Sequence, residues 1–146
     1  MSAAWFGLIG VVVGGLITGA VTFLLDHVRE QREAERARVI AKSEIAEAGE
    51  AVRTAIDSGS WPAGWNTKTW AQSWTTIRSP LASTMDDAAF SAVANAYSFM
   101  ELLQNGLANG ERGFQGNDAQ FFGRSKAALE DAKPHLPGSW PEHRSP

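Results

Sequence analysis

Residues 41–55, AKSEIAEAGEAVRTA, place Ala41, Ile45, Ala48, Val52 and Ala55 at alternating spacings of four and three. That alternation returns side chains to one stripe of an α-helix, the heptad seam along which helices pack. From Asp26 to Asp57 there is no proline and only one glycine, Gly49, so a single helix is expected across the whole segment. Such a seam packs either as the inner face of an intramolecular bundle or as a zipper between two copies. Apolar-periodic segments further along the chain need a face to pack on, which favours the bundle.

Those segments are short and clearly punctuated. Ser58 to Lys68 contains Gly59, Pro62 and Gly64 and reads as a loop. A second helix is expected from Thr69, with Trp70, Trp74, Ile77 and Leu81 on one face, and Pro80 is expected either to kink it or to end it near Arg78. Thr84 followed by Asp87 resembles the start of a third helix. In that helix Phe90, Val93, Ala94, Tyr97 and Met100 form a stripe, flanked by Phe99, Leu102 and Leu103, and Asn105-Gly106 is the expected stop. Residues 106–117 are rich in Gly and Asn and read as loop. A fourth helix is expected over Asp118–Lys133, with Phe122, Ser125 and Leu129 inward and Pro134 ending it. The proline-bearing tail, 134–146, is expected to be disordered. The fold class is therefore all-α: an antiparallel bundle of three to four helices over residues 41–133.

Toward the N-terminus the helix changes character. Residues 26–40 are polar almost all round, with Arg29 and Glu33, Arg32 and Glu35, Glu33 and Arg36, and Glu35 and Arg38 spaced to pair along a solvated stalk. Residues 1–25 are the opposite. Ala3 to Leu25 contains no charged residue at all, and at ~1.5 Å per residue such a helix covers ~34 Å against a hydrocarbon core of ~30 Å. A signal peptide would need a basic start and a shorter apolar run. The expectation is a transmembrane helix continuing into the cytosolic helix. Arg29, Arg32, Arg36, Arg38 and Lys42 follow the run and no Lys or Arg precedes it, which predicts a cell-membrane protein with its N-terminus outside and its C-terminal domain cytoplasmic. Gly7, Gly10, Gly14 and Thr18, with Gly15 and Gly19 beside them, line one face, whereas Trp5, Ile9, Val12, Leu16 and Phe23 project from the other. Small residues four apart permit close approach of helices in lipid, so this face is the expected seat of self-association.

Composition narrows the remaining functions. The net charge is −3, with six basic and eight acidic residues over 26–57 and seven and eight beyond, so no basic stripe supports nucleic-acid binding. With no cysteine and with His27, His135 and His143 scattered, neither a metal site nor another cofactor is expected. No nucleophile elbow or phosphate loop appears, and an enzyme is not expected. Trp61, Trp65, Trp70 and Trp74 cluster within a short stretch. Trp70 and Trp74 read as core. Trp61 and Trp65, in a loop at the far end of the first helix, are the candidate partner-binding residues, since Trp is enriched at interface hot spots. The sequence thus points to a non-enzymatic, single-pass membrane-anchored interaction or scaffold protein that contacts lipid, self-associates and binds another protein. The alternative is a phage- or prophage-type membrane effector, holin-like or excluding superinfection, that acts through an oligomerising span.

Overall fold

A computed structural model describes residues 2–61, 70–107, 112–138 and 140, with side chains in the first helix described from Gly14 and in the second from Gln72. The described residues form four helices, α1 (Ser2–Ser58), α2 (Trp70–Ala82), α3 (Asp87–Leu107) and α4 (Asp118–Ala132). Two two-residue strands, β1 (Ser60–Trp61) and β2 (Arg112–Gly113), and a 3-10 turn, Lys133–His135, complete the order. The protein is all-α, as its periodicities predict. Contacts divide it into two units, Met1–Glu33 and Ala34–Pro146.

In the first unit every side chain described, from Gly14 to Glu33, is exposed. The hydroxyls of Thr18 and Thr22 donate back to the Gly14 and Thr18 carbonyls, each at 2.9 Å, so both are satisfied within the helix. Arg29 Nε donates to Glu33 Oε1 at 2.9 Å, one of the stalk pairs expected from spacing. Among the described residues no helix is long and apolar enough to cross a membrane. Residues 3–13 of the expected span, including Gly7 and Gly10, lie where side chains are outside the described set.

The second unit is built on the predicted seam. Ala41, Ile45, Ala48, Val52 and Ala55 are all at most 1% exposed and belong to one buried cluster with Ile77, Leu81, Val93, Met100, Leu103, Phe122 and Leu129. The seam therefore serves an intramolecular core. It also starts earlier than expected: Ala34 and Ala37 are buried, so the stalk boundary at residue 40 moves back to Ala34. The reason is size. Alanines between arginines and glutamates barely raise the local hydropathy, yet they sit on the same stripe as Ala41.

Four expected boundaries also shift, each for a local reason. Pro80 does not end α2, which runs on to Ala82. Placed so close to the terminus, proline removes one helical hydrogen bond, and Leu81, fully buried, holds the last turn against the core. The Ser83 and Thr84 hydroxyls then both donate to the Pro80 carbonyl, at 3.0 and 3.1 Å. Because Thr84 is committed there, Asp86 caps α3 instead, its Oδ1 accepting the Ala89 amide at 2.8 Å. At its other end α3 passes through Asn105-Gly106 to Leu107, which is buried. Finally, the chain after Pro134 is not disordered over the described residues. Lys133–His135 turns it, and Leu136 is 1% exposed.

The loop expected over 106–117 contributes β2. Its pairing with β1 is antiparallel, Ser60 opposite Gly113 and Trp61 opposite Arg112, and the Phe114 amide extends it by donating to the Gly59 carbonyl at 2.9 Å. Gly59, at φ +64°, turns the chain out of α1 into β1, a conformation that glycine adopts without a Cβ penalty.

Candidate functional site

The ribbon fixes the position of Trp61, and it fixes it inside the protein. Trp61 is 4% exposed, stacked on Phe121 at 5.8 Å and edge-on to Phe122 at 4.7 Å. Its Nε1–H donates to Asp118 Oδ2 at 3.0 Å. The same carboxylate accepts Arg112 Nη1 at 2.6 Å and the Gln115 amide at 2.9 Å. Arg112 also lies 5.0 Å from the centre of the Trp61 ring. Hydrogen bonding from Arg112, then from the Gln115 backbone, lowers the Asp118 carboxyl from 3.8 to about 2. Trp61 is therefore a core residue, which corrects its assignment to a partner surface: a loop indole with an in-chain acceptor and aromatic neighbours gains more by burial. Trp65 lies outside the described residues.

A second polar contact ties α1 to α3. The Tyr97 hydroxyl donates to Glu44 Oε2 at 2.5 Å, and its ring stacks on Trp74 at 4.6 Å. Burial, reinforced by that carboxylate, pushes the Tyr97 phenol far above its ordinary range. Trp74 is half-buried against Tyr97 and Phe90, as its helical spacing predicts, while the Trp70 side chain is outside the described set. Both polar contacts are made within the chain and tie its own elements together.

The candidate site lies elsewhere, in a groove of about 460 Å³ between α1 and α4. Its apolar floor includes Val52 and Leu129, and Gly49 opens into it with nothing within 4 Å of where a Cβ would stand. Ion pairs flank it: Arg53 with Glu50 at 2.5 Å on α1, and Lys133 with Glu130 at 2.6 Å at the end of α4. Lys126 also lines it, and the Trp140 ring forms part of its wall. The Trp140 ring is itself approached by Lys42 at 5.4 Å and Lys133 at 5.6 Å. An apolar floor between charged walls suits a ligand or side chain with an apolar body and polar edges.

Sequence reasoning missed this groove. Leu136 and Trp140, two large apolar residues in a proline-bearing tail, were the available signal. Of the basic residues assigned to topology, Arg29, Arg32 and Arg36 are exposed, whereas Arg38 Nη2 donates to the Thr84 carbonyl at 3.1 Å and Lys42 approaches Trp140. Arg38 and Lys42 thus take part in the folded unit. Gly14, Gly15 and Gly19 have nothing within 4 Å of a Cβ placed on them, so among the described residues this part of the small-residue face is unoccupied, and Thr18 keeps its hydroxyl turned to its own backbone. Among the described residues no group of three or more His, Cys, Asp or Glu could hold a metal ion.

No protein-family model, curated protein or solved structure matches the chain.

Proposed function

We propose that this is a membrane-anchored, non-enzymatic interaction protein: a single N-terminal span, self-associating through its glycine face, that displays a helical bundle toward the cytoplasm. The observation that carries the reading is the exposure of the apolar half of α1. Leu16, Ile17, Val21, Phe23, Leu24 and Leu25 are each 50–71% exposed, with the charge-free sequence continuing back to Ala3. A contiguous apolar surface of that extent is costly in water and marks a surface that meets lipid or another protein. The absence of charge over a length that matches the bilayer favours lipid. The face through Gly14, Gly15 and Gly19 leaves room for a second backbone. Partner binding is assigned to the bundle, where the groove between α1 and α4 replaces Trp61 as the candidate contact.

Fractionation of expressing cells tests the anchor directly. The full chain should sediment with membranes and resist extraction at high salt and alkaline pH; a chain recovered in the soluble fraction would refute the anchor. Replacement of Gly14 by Ile should lower the yield of crosslinked dimer in membranes. An unchanged yield would move self-association off the glycine face.

A further inference from the structure

Opposite charges line a second cavity of the bundle without meeting each other. The cavity, of about 320 Å³, is lined by Arg38 of α1, by Asp86 in the turn between α2 and α3, and by His135 in the 3-10 turn after α4. Met85, Ala89 and Pro137 add apolar lining. Three segments far apart in sequence thus bring a guanidinium, a carboxylate and an imidazole to one cavity. The two ionic side chains are each tied to the backbone. Arg38 Nη2 donates to the Thr84 carbonyl at 3.1 Å, and Asp86 Oδ1 accepts the Ala89 amide at 2.8 Å. Each tie uses one atom, which leaves the other guanidinium donors and the second carboxylate oxygen available. Among the described residues Arg38 and Asp86 form no ion pair, with each other or with any other side chain, and the His135 ring has no partner.

An arginine and a carboxylate that share a cavity gain by closing into a bidentate pair. Here their ties to the backbone hold them apart. Wall charges that are fixed, opposite and separate are complementary to a molecule that carries both signs itself. Because the walls are already in place, the cost of ordering falls on the ligand alone. Arginine forks onto phosphate oxygens, and a second donor group on another element suits a tetrahedral phosphate better than a planar carboxylate, which one fork satisfies. We propose that this cavity binds a small zwitterion of the phosphoethanolamine type, its phosphate taken by Arg38 and His135 and its ammonium by Asp86. Met85, Ala89 and Pro137 offer apolar surface for the short linker between the two charges. The site shares no lining residue with the groove between α1 and α4, and it stands whether or not the N-terminal helix enters a membrane.

Titration of the full chain, in a maltoside detergent, with O-phosphoethanolamine tests the site, followed by NMR at the Arg38 Nε–H and the His135 ring. Both signals should shift saturably. Inorganic phosphate and ethanolamine, each alone, should bind about tenfold more weakly or worse, since each forgoes a hydrogen bond to a charged group. Asp86→Asn should abolish the advantage over inorganic phosphate and leave α3 capped, because asparagine serves as an N-cap as well as aspartate does. Arg38→Gln should remove the binding of both phosphate compounds, with cooperative thermal unfolding retained. Absence of a saturable shift, or equal affinity for inorganic phosphate, would overturn the site. An Asp86→Asn protein that keeps its preference would overturn the assignment of the ammonium. Repetition in bilayer discs of phosphatidylcholine, with and without phosphatidylethanolamine, separates two sources of the same headgroup chemistry. Competition by the added lipid would identify a membrane headgroup as the ligand, and an unaffected titration a soluble phosphate ester.

Discussion

Two stretches of α1 differ in what becomes of their apolar residues. Between Gly14 and Glu33 the large side chains Leu16, Ile17, Phe23 and Leu25 are 60–71% exposed, while between Ala34 and Ser58 a stripe made mostly of alanine is almost wholly inaccessible. The more apolar stretch is the exposed one. Burial within the chain follows the spacing of apolar residues, which matches faces of α2, α3 and α4, and not their bulk. A uniformly apolar helix has no polar side to leave in water, so it needs an environment that surrounds it.

The largest expected effect is a complete change of compartment. A chain beginning at Ala34 should be soluble, helical and cooperatively folded, while the full chain partitions into membranes. Starting at Ala34 keeps Ala34 and Ala37 in the buried stripe. If the shortened chain aggregates, the two stretches are not independent and the comparison fails. Topology can be read in the same cells: external protease should leave the C-terminal domain uncut. Dye leakage from cells or vesicles, abolished by Gly14→Ile, would instead support the phage-type effector.

The next effect compares the same residue type in the two stretches. Ile45→Ala removes a side chain at 0% exposure and should cost about 2–5 kcal/mol of bundle stability. Ile17→Ala, at a position 60% exposed, should leave the thermal midpoint of the bundle where it was. Two equal losses, measured by thermal denaturation of full chains in the same detergent, would break the distinction between buried stripe and exposed run.

How much of this could be read from the sequence follows from the same distinction. Ile45, Ile77, Leu81, Val93, Phe122 and Leu129 were legible because helical periodicity alone predicts a buried stripe. Trp61 was not, because its burial depends on a two-residue ribbon between segments far apart in sequence, on Asp118, and on the bare backbone of Gly106. Asn105-Gly106 resembles a helix stop, yet the glycine sits within α3 where the indole lies against it. The groove was hidden for a related reason: part of its wall is Trp140, and a proline-bearing tail carries no period that would announce it.

Glycines give the third test. At Gly106 a Cβ would run into the buried ring of Trp61, which is pinned by Asp118. Gly106→Ala should therefore destabilise the bundle by about 1–3 kcal/mol, despite alanine's better helix propensity. A neutral result in a denaturant titration would mean that Trp61 is held loosely and is available to a partner after all.

Ion pairs extend the comparison to polar groups. Arg29 and Glu33 pair in the open, with side chains 78% and 48% exposed, and Arg29→Ala should have no measurable effect. Asp118 is different, because its carboxyl is lowered to about 2 by Arg112 first and the Gln115 amide second. A depressed pKa means that the folded state binds the proton less readily than the unfolded chain. The stabilisation is therefore complete above the ordinary value of 3.8 and is lost as pH falls toward about 2. Thermal midpoints of the unaltered protein should fall more steeply across that window than those of Asp118→Asn. Parallel curves would show that the pair contributes no acid sensitivity.

The smallest change expected of the bundle's own stability is a gain. Gly49 lies within α1, on the wall of the groove, and nothing stands within 4 Å of a Cβ built there. Glycine in a helix interior costs about 1 kcal/mol relative to alanine, because the unfolded chain has more freedom to lose. Gly49→Ala should thus raise stability by up to that amount, the reverse of the same change at Gly106. The two glycines separate the causes: where the backbone is approached by Trp61, glycine is required for packing, and where it faces an open groove, the folded chain alone does not require it. A chemical-denaturation midpoint that fails to rise in Gly49→Ala would show that the groove wall is packed more tightly than its open space implies, and would remove the room in which a ligand or side chain is proposed to sit.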